Sequence, residues 1–132
     1  ILERENMEQQ VYTLTNVLQI VIAMGLLNVW LLRFNQNTPY RGGNARSLME
    51  EFSSYGLPSW FRYFIGFLKL SCALLLIVGI WIPGLVLPTA LLLSVLMIGA
   101  ILMHVKIGDP LKKSLPAFLM LVLSFSTCVT SL

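Results

Sequence analysis

Lys69 is the residue that most demands a chemical explanation. It lies two positions after Phe67, inside the apolar stretch that continues through Leu70-Ser-Cys-Ala-Leu-Leu-Leu-Ile-Val-Gly-Ile-Trp-Ile82. A charge at the centre of a membrane helix costs about 2.5–3.5 kcal/mol on insertion scales, so it needs a partner or a purpose. If the helix enters the bilayer near Ser59, the rise of about 1.5 Å per residue puts Lys69 about 15 Å deep. Asn28 falls nearer the entry side of that level, and Gln19 and Asn16 nearer the other side. One reading is structural: a polar clasp between helices, or a lysine snorkelling part of the way back to water. The other is functional: Lys69, Asn28 and Gln19 line a ligand-binding cavity for an anionic or quinone-like headgroup.

His104 is the sole histidine, within His104-Val-Lys106-Ile-Gly-Asp109-Pro110-Leu-Lys112-Lys113. A single histidine cannot supply two axial haem ligands within one chain. At the end of a membrane helix it would hydrogen-bond a lipid headgroup, Asp109 or a loop carbonyl. As a proton-carrying base it would need a partner, and Asp109 is the nearby carboxylate. Asp109-Pro110 also reads as turn initiation. With Arg41 and Arg46, His104 and Asp109 form the candidate interface set.

The two cysteines, Cys72 and Cys128, fall in separate helices and form no Cys-x-x-Cys, which excludes a thioredoxin-like dithiol. They read as small packing residues. Gly42-Gly43 lacks the strand–helix context of a phosphate-binding loop. Glu50 and Glu51 are adjacent, so they point to different parts of a helix surface. The sequence shows no Ser-His-Asp constellation and no metal-ligand cluster. No catalytic residue is assigned, and catalysis by the chain alone is not expected.

The elements that position these residues are transmembrane helices. Hydrophobic residues make up 57 % of the chain and charged residues 11 %, and about 20 apolar residues span a hydrocarbon core. The expected fold is an all-α, four-helix membrane bundle in a single domain. Its helices are expected over 11–32, 59–82, 85–103 and 114–129. Pro83-Gly84 separates helices two and three. Pro88 and Pro116 fall in the expected first turns of helices three and four, where a missing N–H costs little. The first apolar segment is expected to remain as a span. It exceeds a signal-peptide core, follows Glu3, Glu5 and Glu8, and lacks a small-residue cleavage site. Between helices one and two, Ala45, Leu48, Met49, Phe52 and Tyr55 share one helical face, so residues 45–55 are expected to form a short amphipathic interfacial helix. Gly25, Gly66, Ala73, Gly79, Gly99 and Ala100 are expected at close helix contacts.

The formal net charge of +3 comes from Lys and Arg at segment ends, which indicates membrane topology and not nucleic-acid binding. Arg33, Arg41, Arg46 and Arg62 on one loop, and Lys106, Lys112 and Lys113 on another, must share one side. The positive-inside rule then places both loops in the cytoplasm and both termini outside.

In order and spacing, the chain resembles the DoxX-like family of small four-helix membrane proteins from Val11 onward. The matching residues include Tyr40-Arg-Gly-Gly43, Glu50-Glu-Phe52, Tyr55-Gly-Leu-Pro58 with Trp60, Gly66, Gly79-Ile-Trp-Ile-Pro83 and Leu96-Met-Ile-Gly-Ala100. His104-Val-Lys106, Asp109-Pro110, Lys112-Lys113 and Pro116-Ala117 complete the pattern. The resemblance implies a four-helix bundle, in an inner membrane of bacterial type. Members have been linked to quinone-reducing sulfur oxidation, to complexes with redox enzymes and to assembly of other membrane proteins. Many relatives carry a glutamate about where Lys69 stands, so the local charge here has the opposite sign.

Two functions are expected to compete. The first is a non-catalytic accessory subunit or assembly factor, partnered by the lipid bilayer and by a larger membrane complex or a homo-oligomer. The second is a redox component that binds a quinone or lipid in a pocket around Lys69; no other cofactor is expected. A small-solute transporter ranks below both, because no pair of broken helices is visible.

Overall fold

The computed structural model describes residues 1–32, 43, 50, 53 and 55–132. These residues build four α-helices: α1 over Leu2–Leu27, α2 over Ser59–Val78, α3 over Val86–Lys106 and α4 over Leu111–Thr130. A π-helical turn, Asn28–Leu32, continues α1, and a 3-10 turn, Pro83–Leu85, leads into α3. α3 packs on α4 and α1 on α2, while α1–α4 and α2–α3 contacts close the ring. The fold is therefore the expected all-α four-helix bundle.

Leu2–Trp30, Pro83–Lys106 and Leu111–Thr130 are long and apolar enough to cross a membrane, and Tyr63–Val78 is a shorter apolar stretch. Large apolar side chains such as Met24, Phe67, Leu74, Val95 and Phe125 project outward from all four helices. In a bilayer this surface faces lipid and incurs no penalty. The chain is an integral membrane protein.

The helix ends differ from the hydropathy boundaries for identifiable reasons. α1 begins at Leu2, well before residue 11, because Glu, Arg, Met and Gln are good helix formers even where they leave the apolar layer. Glu3 and Glu5 also suit the positive end of the helix dipole. α2 stops at Val78, short of residue 82, and Gly79 caps it. α3 runs through His104 to Lys106, and α4 starts at Leu111. Pro116 is thus inside α4 and not in its first turn. The bond lost there would have gone to the carbonyl of Lys112, close to the polar end of the helix. The expected interfacial helix over 45–55 lies largely outside the described residues.

The core gathers Ile22, Ala23, Leu26, Cys72, Leu76 and Leu93, with Val86 and Met97 beside them. Cys72 and Cys128 are both buried as free thiols. Small residues create the close approaches. A β-carbon on Gly66 would stand 2.8 Å from the Trp30 ring, and one on Gly79 would stand 2.9 Å from Val86. Gly25 faces the Met120 thioether. Gly99 breaks the expected pattern: it opens onto free space, away from any helix contact.

Candidate functional site

The densest polar chemistry among the described residues lies where α3 ends and α4 begins. Gly108 adopts φ +73°, a left-handed conformation that glycine tolerates without strain. The Gly108 N–H donates to the carbonyl of Val105, and the Asp109 N–H donates to the carbonyl of His104. This is a Schellman turn, with glycine just past the helix cap and the next residue folded back over the last turn. The consequence is chemical. The turn carries the Asp109 carboxylate onto the imidazole of His104, with Nδ1 and Oδ2 2.8 Å apart and each side chain only 6 % exposed.

Three further groups close the cluster. The Gly43 N–H donates to both Asp109 oxygens, at 3.1 and 3.2 Å. Lys113, one helical turn after Asp109, holds its Nζ 3.8 Å from Oδ1 and donates to the Gly43 carbonyl. Tyr55 packs its ring edge-on to His104, with centroids 5.8 Å apart, and its hydroxyl lies 3.4 Å from Nε2. Lys106 donates to the Tyr55 carbonyl at 3.2 Å. In the tautomer with hydrogen on Nδ1, His104 donates to Asp109 and leaves Nε2 to accept from Tyr55. These contacts place Gly43 and Tyr55 on the same side of the bundle as the α3–α4 turn.

The order Tyr55–His104–Asp109 is that of a hydroxyl, a base and the group that orients the base. Burial decides against reading it as a reaction centre. Tyr55 is 6 % and His104 5 % exposed, so a substrate has no approach to the hydroxyl. The arrangement acts as a clasp: a buried, mutually satisfied network that joins two segments distant in sequence. The contributions of Tyr55, Gly43, Lys106 and Lys113 lie outside the candidate set drawn from the sequence. Only the i, i+4 spacing of Asp109 and Lys113 signals its contact in advance. Arg41 and Arg46 lie outside the described residues.

Of the residues grouped around Lys69, Gln19 lies elsewhere, in a cleft that Lys69 and Asn28 do not line. Lys69 is half-buried in α2, with Nζ 5.2 Å from the centre of the Trp30 ring, a cation–π contact. Asn28 is exposed at the start of the π-helical turn. Gln19 is buried and donates from Nε2 to the carbonyl of Leu76 at 2.7 Å. Leu76 lies about 10 Å along α2 from Lys69. Gln19 instead lines a cleft of about 560 Å³ at the opposite end of the bundle from His104, between the start of α1, the α2–α3 turn and the end of α4. Lys69 and Asn28 do not line that cleft.

The model of the DoxX-like family matches residues 17–126, which include α2, α3 and the His104–Asp109 turn. No curated protein and no solved structure matches the chain.

Proposed function

The chain belongs to the DoxX-like family, and from that premise we propose that it is an accessory subunit or assembly factor of a larger membrane complex. The observation that carries this reading is the clasp. Asp109 receives the Gly43 N–H across 66 residues of sequence, and His104 meets Tyr55 across 49. Gly43 and Tyr55 are thereby tied to the α3–α4 turn. A pre-organised surface loses less conformational freedom on binding, which favours docking. The partner is a larger membrane protein, of the redox class that the family resemblance implies, and the docking face is the one the positive-inside rule assigns to the cytoplasm.

The test is native mass spectrometry of the chain drawn from its own membranes in a mild detergent. A defined complex with a larger protein, weakened by Asp109→Ala while the helices persist, supports the proposal. A lone chain or a homo-oligomer, unchanged by Asp109→Ala, overturns it.

A second reading keeps a quinone or lipid beside Lys69. It draws on the position of this cation within an apolar membrane helix, half-buried against Trp30. It expects a bound quinone or lipid that is lost in Lys69→Met with the fold intact.

A further inference from the structure

Among the described residues, all but one of the buried serines and threonines settle on their own backbone. Thr15 donates to the carbonyl of Val11, Thr89 to Leu85, Ser94 to Ala90 and Thr127 to Leu123, each four residues back. Ser124 is the exception. It is fully buried in α4, and its Oγ has no hydrogen-bond partner among the described residues. The carbonyl of Met120 stands in the same place, four residues back, yet the hydroxyl makes no bond to it. A buried hydroxyl that forgoes so close an acceptor is costly unless another partner meets it.

The position of Ser124 narrows what that partner is. Ser124, Thr127 and Ser131 follow one another at steps of three and four residues, along one face of α4. At the end of that face, Thr130 and Ser131 line the cleft of about 560 Å³, and both donate to the Thr127 carbonyl. Ser124 lies about 10 Å further into the bundle than Ser131. Thr127 is fully buried between them, so no open passage leads from the cleft to Ser124 and only a very small molecule fits. α4 carries no charged side chain after Lys113, which argues against an ion at that depth. Thr127 spends its hydrogen on Leu123 and keeps its lone pairs. Residues three apart on a helix hold their β-carbons about 5–6 Å from each other, a gap that one water bridges.

We propose that Ser124 binds a buried water molecule, drawn from the cleft along this face of α4. Ser124 donates to the water, and the water donates to the Thr127 hydroxyl. Two such partners meet the minimum that holds a water inside a protein. The interior of the bundle is thereby hydrated from the end opposite the clasp, while the lipid-facing side of α4 stays dry. Ser124 takes no part in the clasp, so the water site stands whether or not the chain is an accessory subunit.

The test is water-edited solid-state NMR on the chain in bilayers of deuterated lipid, which reads how fast magnetisation passes from water protons to each residue. Val122 and Phe125, neighbours of Ser124 that project outward from α4, are the dry reference. The expected result is a several-fold faster build-up at Ser124 and Thr127 than at either of them. In Ser124→Ala the build-up at residues 124 and 127 is expected to fall to the level of Val122, with Ser131 at the cleft unchanged. Alanine is the best helix former, and unshifted Val122 and Phe125 signals verify that α4 persists. A build-up at Ser124 no faster than at Val122 means a dry hydroxyl, folded back on the Met120 carbonyl, and overturns the proposal. A fast build-up at residue 124 that Ser124→Ala leaves unchanged also overturns it, because the hydroxyl then holds no water.

Discussion

His104 and Asp109 meet at 2.8 Å because Gly108 turns the chain back on itself one residue before the carboxylate. That local turn then becomes a long-range one, since the same carboxylate accepts the Gly43 N–H. Removing it in Asp109→Ala leaves His104 Nδ1 and the Gly43 N–H without their acceptor. The expected loss is about 1–3 kcal/mol at the buried imidazole and less at the half-buried Gly43 N–H. Thermal unfolding in detergent should shift to lower temperature, and hydrogen exchange at the Gly43 N–H should quicken. Unchanged exchange at Gly43 would show that the Asp109 carboxylate does not hold it.

Tyr55→Phe separates the ring from its hydroxyl. The edge-on packing on His104 survives, and the 3.4 Å contact to Nε2 is lost. That contact is long for a hydrogen bond, so the expected cost is small, about 0.5 kcal/mol. Tyr55→Ala also removes the buried ring and should cost several times more. Paired melting curves of the two variants measure the difference.

Gly66→Leu should disturb the Trp30 corner. Even a β-carbon there would stand 2.8 Å from the ring, and overpacking costs about 1–3 kcal/mol. Trp30 also lies beneath the Lys69 ammonium, so its displacement should alter the indole fluorescence together with the melting temperature.

Lys69→Met removes an attraction and a burden at once. The cation–π contact is worth about 0.5–2 kcal/mol, while holding the charge at the centre of a span costs about 2.5–3.5 kcal/mol. Set against the Trp30 contact alone, the cost of this half-buried charge is the larger, and on those two terms the variant should insert at least as well as the wild type and melt no lower. A marked loss of stability would show that Lys69 contributes more than its contact with Trp30.

Gln19→Leu removes the 2.7 Å bond to the Leu76 carbonyl. Side-chain bonds between membrane helices average about 0.6 kcal/mol and reach about 1.7 kcal/mol. The short distance and full burial favour the upper part of that range. Hydrogen exchange at the end of α2 should quicken, because the bond secures the last turn before Gly79.

The membrane class, the four helices and the Pro83-Gly84 turn were legible in the sequence, because hydrophobicity over a helix length and the backbone limits of proline and glycine are local properties. The approach of His104 to Asp109 was nearly legible for the same reason: a glycine after a helix end brings residues five apart together. The boundaries were less so, since hydropathy marks where the bilayer is and helix propensity continues past it, as Leu2–Gln10 of α1 show. Tertiary structure alone decided which polar residues share a site. Gln19, Asn28 and Lys69 sit at neighbouring depths by arithmetic, yet depth leaves open the direction in which each side chain leaves its helix. Packing set that direction, turning Gln19 into the α1–α4 cleft and Lys69 over Trp30. It likewise brought Gly43 and Tyr55 to a turn more than 45 residues away. No local pattern encodes such meetings, because they depend on how four separate helices fit against one another.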